Sequence, residues 1–179
     1  MSRTSVIVAL NWLVSLSAKQ RGFRVSATAD TIWRVPAYLP YLQPPPSVDV
    51  IALAEKEIGY RLPEEYLDLI RKQNGGYIRY KLPESPHDTI AGIGPYFPSL
   101  TRFDWKEIQG HVSYCLEGLV PFDGDGHWYL CLDYRNNAEM PRITFVDIEC
   151  DKESNVADSF VDYLDRLQLN VGGEFVHEP

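Results

Sequence analysis

Between residues 118 and 134, apolar and polar side chains alternate in a way that is typical of two short β-strands joined by a turn. Trp128, Leu130 and Leu132 take every second position of the second strand, so the pattern predicts that all three face the core. The glycines of Asp123-Gly-Asp-Gly126 tolerate the positive φ angles that a tight turn needs. The rest of the chain is expected to fold around this acidic hairpin.

Two helices with clear start and stop signals precede the hairpin. The first is predicted from Ser47, a helix-capping residue, to Ile58, with Gly59 in the left-handed conformation that often ends a helix. The second is predicted to begin at Pro63 and to end before Asn74-Gly-Gly76. Its apolar positions, which are expected to be buried, are Tyr66, Leu67, Leu69 and Ile70.

The other elements follow the same two periodicities. Strands are predicted at residues 77–80, 119–122, 127–134 and 142–148, the last three as a meander. A long proline-rich loop, residues 82–104, follows the first strand, and loops of this kind often carry binding residues. Asp104 is predicted to cap a helical turn at residues 104–108. Apolar spacings of three and four predict a final helix near residues 155–167, with Phe160 and Phe122 in the core.

The N-terminal region is predicted to lie outside the main domain. An apolar run at residues 6–16 favours an amphipathic helix over a secretory signal, because Asn11 and Trp12 interrupt it. Residues 19–46 are basic and contain several prolines, which is typical of an extended connector. The sequence therefore divides into an N-terminal helix with its connector (1–43), a main domain of helices and strands (44–170) and a flexible tail (171–179).

Charge is unevenly distributed along the chain. The net charge of −8 and the pI near 5.0 argue against nucleic acid as a direct partner, because neutralising phosphates requires a basic surface. Residues 101–179 hold 6 basic and 16 acidic side chains, against 11 basic and 9 acidic in residues 1–100. This imbalance fits either an ordinary solvated acidic surface or a surface that steers a basic partner.

The sequence gives only weak evidence for catalytic, metal-binding or cofactor-binding sites. The three cysteines, Cys115, Cys131 and Cys150, form no CxxC pair, and so sparse a set suits a reducing compartment. Asp123 and Asp125 fit two positions of a calcium-binding loop, but the required glycine and the bidentate glutamate are missing. Nucleophile-elbow and cysteine-protease signatures are also missing. The sequence therefore predicts no catalytic residue, no metal ligand and no cofactor.

Several short motifs occur in one order along residues 44–167: Leu62-Pro-Glu-Glu-Tyr66, Asn74-Gly-Gly76, Leu119-Val-Pro-Phe122, Asp123-Gly-Asp-Gly126 leading to Leu132-Asp133, and Ala157-Asp-Ser-Phe160. This order resembles the SUKH superfamily, which joins fungal cell-wall-synthesis regulators to bacterial immunity proteins of polymorphic toxin systems. The resemblance implies a single α+β domain with an antiparallel sheet flanked by helices, no catalysis, and protein binding as the activity. It explains neither residues 1–43 nor the proline-rich loop.

These observations together favour a cytoplasmic, monomeric immunity protein that covers the active site or substrate path of a cognate toxin, such as a nuclease. A scaffold or regulator without a toxin partner, and a hydrolase with an acidic cleft, are the alternatives. Binding to nucleic acid or to a membrane is not expected. The candidate partner-binding residues are Asp104, Trp105, Asp123, Asp125 and Asp133, with Trp105 as the aromatic anchor. The same aspartates could instead only shape the turn and satisfy backbone donors.

Overall fold

The helical corner predicted at residues 47–76 forms as expected. A computed structural model of the protein describes residues 27–106 and 108–170. Helix α1 spans Val48–Ile58, where the Ser47 side chain accepts a hydrogen bond from the Val50 N–H and Gly59 ends the helix at φ +86°. Helix α2 spans Glu64–Lys72, with acidic residues in its first turn and basic residues in its last. Its buried residues are the four predicted ones, Tyr66, Leu67, Leu69 and Ile70.

The central sheet has four antiparallel strands in the order in which they occur along the chain. They are β4 (Leu119–Gly124), β5 (Trp128–Asp133), β6 (Arg142–Asp147) and β7 (Lys152–Ala157). Two short pairs accompany this sheet: β1 (Gly76–Tyr77) with β3 (Thr89–Ile90), and β2 (Tyr80–Lys81) with β8 (Gln168–Leu169). Helix α3 (Phe160–Arg166) follows β7. The predicted α+β class with an antiparallel meander flanked by helices is confirmed.

Both faces of strand β5 are buried. Leu130 and Leu132 are inaccessible to solvent and belong to the main core, as do Tyr66, Ile70, Phe122 and Phe160, as predicted. Trp128 is only partly buried and stacks on Phe145, with ring centroids 5.5 Å apart. The opposite face is also covered, because Tyr129 and Cys131 pack with Leu116 and Leu119 in a second apolar cluster. The alternation therefore identified the correct inner face, while the segment around residues 103–116 covers the other.

The structure corrects two predicted elements. Residues 77–80 do not form one strand, since β1 pairs with β3 and β2 pairs with β8. The final helix begins at Phe160 rather than near Asn155, because residues 152–157 pair with β6 as an edge strand. Pairing with a neighbouring strand here overrides the helical spacing of the apolar residues, as tertiary contacts often override local preference.

Part of the predicted connector packs onto the domain. Ile32 and Trp33 are buried in the main core, and Trp33 forms an antiparallel bridge with Ile78. The Arg79 N–H donates to the Ile32 carbonyl at 2.8 Å, so the backbone of this segment is fixed as well. Residues 27–43 thus form one wall of the folded unit. The predicted N-terminal helix at 6–16 and the tail at 171–179 lie outside the described residues.

Asn74 fixes the proline-rich loop against the helical corner. Its amide donates to the Pro44 and Ile93 carbonyls, and its side-chain oxygen accepts from the Ile93 N–H at 2.8 Å. Gly92 lies so close that an added Cβ would meet the Asn74 carbonyl oxygen at 2.5 Å. The sequence indicated only that Asn74 ends a helix. The structure shows that it also holds the loop in which the surface aromatic residues lie.

Replacing Ser159 by alanine is expected to lower the free energy of unfolding by about 1 kcal/mol. The reason is that the Ser159 side chain accepts from the Asp162 N–H at 3.1 Å and so caps helix α3. Urea denaturation of both proteins measures the difference. Ser154→Ala, on the exposed edge strand β7, is the matched control and should change stability by less than about 0.5 kcal/mol. Equal losses in the two variants would contradict the capping role.

Candidate functional site

A concave surface of about 470 Å³ lies between the proline-rich loop and the β4–β5 hairpin. We call it the aromatic groove. Its aromatic lining residues are Tyr41, Tyr77, Phe97, Phe103, Trp128 and Tyr129, and its acidic ones are Asp88, Asp123 and Asp125. Among the residues that the structure describes, no lysine, arginine or histidine lines it. The groove therefore combines apolar rings with negative charge.

Aromatic side chains on two loop segments and on strand β1 border the groove. Phe97 is 73% exposed and Tyr96 is 58% exposed, although both are large and apolar enough to favour burial. On the other segment, Tyr38 and Tyr41 meet edge to face with centroids 5.1 Å apart, and Tyr41 stacks on Tyr77 at the same distance. We call Tyr38, Tyr41, Tyr77, Tyr96 and Phe97 the aromatic rim. Tyr38, Tyr96 and Phe97 are exposed, while Tyr41 and Tyr77 are half-buried. Clusters of exposed rings are typical of protein-binding surfaces.

Gln43 joins the two loop segments of the rim. Its side-chain amide donates to the Tyr96 carbonyl at 2.6 Å and to the Pro98 carbonyl at 3.0 Å, while its oxygen accepts from the Tyr96 N–H at 3.0 Å. Gln43 itself is buried. Because these three bonds fix the backbone on both sides of Phe97, the exposed ring is presented on an ordered loop. A preorganised loop loses less conformational entropy on binding.

Asp123 forms the buried end of the groove. Its carboxylate accepts from the Asp88 and Thr89 backbone N–H groups, each at 3.3 Å, and from the Thr89 hydroxyl. His87 Nδ1 lies 2.6 Å from Asp123 Oδ2. These contacts join β4 to the segment that carries β3, next to the position where Phe122 is inserted as a bulge. The charge of Asp123 therefore organises the groove wall.

The Asp123–His87 pair continues to Tyr163, whose hydroxyl lies 2.5 Å from His87 Nε2. An aspartate, a histidine and a hydroxyl in line are the components of a nucleophilic relay. Here, however, Tyr163 is completely buried, and burial followed by the nearby Asp123 raises the pKa of its phenol well above the usual value. A substrate has no access to this hydroxyl. The three side chains connect strand β4 to helix α3 inside the core.

Asp88 and Asp125 carry the solvent-exposed charge of the groove. Partial desolvation, followed by repulsion from Asp123, raises the pKa of Asp88 above its usual value, and the charges of His87 and Arg34 offset this only in part. Asp125 accepts from the His127 N–H at 2.9 Å and so shapes the hairpin turn. The turn uses one oxygen of the Asp125 carboxylate, and the side chain remains exposed to solvent.

Residues 45–166 match the model of the SMI1 / KNR4 family (SUKH-1). The chain belongs to this family. The resemblance to the SUKH superfamily that the ordered motifs indicated is thereby confirmed, and most of the groove lies within the matched region. Tyr38 and Tyr41 precede it. A comparison with curated proteins finds no match.

The SUKH-1 fold distributes the five predicted partner-binding residues over three places. Asp123 and Asp125 lie in the groove. Asp104 is exposed outside it, and its carboxylate accepts from the Lys106 N–H at 3.0 Å. Trp105 is partly buried, donates its indole N–H to the Leu119 carbonyl at 2.8 Å and packs on Phe103. The Asp133 side chain is inaccessible to solvent.

Asp133 lies at the centre of a buried ion-pair network. Arg135 donates to both carboxylate oxygens at 2.9 and 2.8 Å, Arg142 donates at 3.0 Å and the Thr144 hydroxyl at 2.8 Å. Burial acts to raise the pKa of Asp133, but these hydrogen bonds outweigh it and hold the pKa well below the usual range. The network links strands β5 and β6 and gives Asp133 an internal role.

The sequence did not identify the aromatic rim, although it marked residues 82–104 as a place for binding residues. The available signal was Tyr96-Phe97 between two prolines, since two adjacent aromatic residues in an irregular loop have no strand or helix face to bury them.

Within the described residues, no helix is long and apolar enough to cross a membrane. The same part of the chain contains no group of three or more potential metal ligands.

Proposed function

We propose that this SUKH-1 protein is an immunity protein that binds a cognate protein toxin through the aromatic groove. The observation that carries the proposal is the exposed aromatic rim around an acidic groove without basic lining residues. Interfaces depend on a few aromatic anchors surrounded by polar groups, and the rim with Asp88 and Asp125 supplies both. Family membership is consistent with this role, because the SUKH superfamily includes immunity proteins as well as regulators.

To neutralise a toxin, an immunity protein needs only to block access to it. A protein that covers the active site or the substrate path stops the toxin without any chemistry of its own. Acidic side chains suit a nuclease toxin in particular, because they pair with the lysines and arginines that hold the phosphates of the substrate. The protein would act in the cytoplasm, as a monomer and without a cofactor. Asp104 and Trp105, beside the groove, would extend the contact surface.

The proposal is tested by comparing Phe97→Ala with Leu53→Ala as baits for partners in extracts of the host organism. Both changes remove a large exposed apolar side chain, but only Phe97 lines the groove. Phe97→Ala should weaken binding of the captured partner about tenfold or more, the effect of losing an interface anchor. Leu53→Ala should bind like the unchanged protein.

The captured partner is then expressed in host cells with and without this protein. We expect growth arrest when the partner is expressed alone, rescue by the unchanged protein, and weaker rescue by Phe97→Ala. A partner that is harmless when expressed alone would contradict the immunity function and favour the regulator or scaffold alternative. A toxic partner that binds Phe97→Ala and Leu53→Ala equally well would contradict the groove as the binding site.

A further inference from the structure

We propose that the aromatic groove receives an arginine-bearing loop of its partner, with the guanidinium group at Asp88 and Asp125 and the apolar flanks of the loop on the aromatic rim. This inference rests on the proposed function and specifies the chemistry that the groove recognises. It concerns the ligand class of the site, and so it can be tested without knowing the toxin.

Charge complementarity indicates that the ligand is positively charged. Three carboxylates line the groove, and no basic residue among the described ones does. Asp123 has its charge largely satisfied by Thr89, His87 and backbone donors. Asp88 and Asp125 are exposed, and at neutral pH they present negative charge beside aromatic rings. The nearby His87 and Arg34 offset the charge of Asp88 only in part. A cationic side chain is therefore the complementary group.

The ionised Asp88 side chain lowers the folding stability of the protein when no partner is bound. Because its pKa is raised by desolvation and by Asp123, the folded state disfavours its ionised form relative to the unfolded chain. The sign follows from linkage: ionisation of Asp88 lowers stability as the pH rises through its pKa. A bound cation would remove this cost. A residue that opposes folding and faces an open groove is typical of a binding site rather than of a structural one.

The mixture of rings and carboxylates favours arginine over lysine. A guanidinium is planar, is weakly hydrated and stacks on aromatic faces while donating to carboxylates, whereas an ammonium group retains its water more strongly. The protein already contains one such contact, since the Arg34 guanidinium carbon lies 5.9 Å from the centre of the Tyr77 ring. The Tyr77 ring is already contacted by Arg34 and Tyr41, whereas Phe97 is exposed and offers an open ring to a guanidinium of the partner.

The test is an NMR titration of the full-length, ¹⁵N-labelled protein with short synthetic peptides. The probe has one arginine flanked on both sides by leucines, and the comparison peptides carry lysine or glutamine in place of the arginine. We expect shifts of the backbone signals of groove residues such as Gly124 and Gly126. The arginine peptide should bind about tenfold more tightly than the glutamine peptide, with the lysine peptide between them.

Two double variants with the same change in net charge distinguish the effect of the carboxylates in the groove from the effect of the net charge of the protein. Asp88→Asn with Asp125→Asn should weaken binding of the arginine peptide about tenfold. The asparagine oxygen at position 125 can still accept from the His127 N–H, so the turn is kept. Asp49→Asn with Asp165→Asn, both exposed and away from the groove, should change binding less than about twofold. The groove variant should also be at least as thermally stable as the unchanged protein.

Equal binding of the arginine and glutamine peptides would overturn the proposal that the groove binds arginine. Equal losses of binding in the two double variants would also overturn it. Either result would do so even if Phe97→Ala shows that the groove binds a toxin by other contacts. Tighter binding of a peptide with this chain's own residues 17–26, which contain Lys19, Arg21 and Arg24, would overturn the assignment to a partner. If arginine binding is confirmed but the captured protein is harmless, the ligand class stands and the immunity function fails.

Discussion

Asp133→Asn is expected to lower the free energy of unfolding by about 3 kcal/mol, at the lower end of the range for removing one partner of a buried ion pair. The substitution keeps the shape of the side chain but leaves Arg135 and Arg142 without their shared counter-ion. Arg135 retains Glu153 at 2.7 Å, which limits the loss. Urea denaturation at pH 7 measures the effect. Asp165→Asn, an exposed residue of helix α3, is the control and should be nearly neutral.

The same network predicts the pH dependence of stability. The folded-state pKa of Asp133 lies below its unfolded value of about 3.9, so its contribution is fully present above that pH. It is lost as the pH falls toward the folded-state pKa, because the unfolded chain then binds the proton more readily. The difference in stability between Asp133→Asn and the unchanged protein should therefore shrink when denaturation is repeated at pH 3. A difference that stays constant would contradict the ion-pair explanation.

Leu132→Ala is expected to lower the free energy of unfolding by about 2–5 kcal/mol, the range for truncating a buried leucine. Leu132 is inaccessible to solvent on the inner face of β5, opposite Ile143 on the neighbouring strand. Both the lost apolar burial and the cavity left behind contribute to the cost. Chemical denaturation followed by tryptophan fluorescence provides the measurement. Leu53→Ala, which removes the same atoms from a 65% exposed side chain, should change stability by less than about 0.5 kcal/mol.

A loss below about 1 kcal/mol for Leu132→Ala would show that the register assigned to β5 is wrong, because an exposed leucine costs little to truncate. The outcome also bears on the groove. Strand β5 begins with Trp128 and Tyr129, which line the groove, and continues into the core at Leu130. The surface that we propose for binding is therefore supported directly by the most buried strand of the sheet.

Asp123 and Asp125 need separate substitutions, although they are neighbours in the same turn. Asp123 is almost completely buried and organises the groove wall through Thr89 and His87, so changing it would disturb folding and binding together. Asp125 is exposed and keeps its turn hydrogen bond when replaced by asparagine. Among the three carboxylates of the groove, Asp125 and Asp88 are therefore the two to replace when recognition is tested.

The sequence by itself determined most of the local elements and the family. The capped helix α1, the helix α2 with its four buried residues, and the inner face of β5 follow from short-range spacing and end signals, which act within a few residues. The ordered motifs indicated the SUKH superfamily through the order in which they occur along the chain, and the family match confirms it. The α+β class was implied by this resemblance, and the helices and antiparallel strands of the structure confirm it.

Tertiary structure alone decided which charges and rings are available to a partner. Asp133 and Asp125 look alike in sequence, but Arg135 and Arg142 surround one and solvent surrounds the other. Strand β7 forms because a neighbouring strand offers hydrogen bonds, against its helical spacing. The groove joins Tyr41, Phe97 and Trp128 from three distant segments. Contacts between residues so far apart in sequence depend on the packing of the whole domain, which local patterns do not encode.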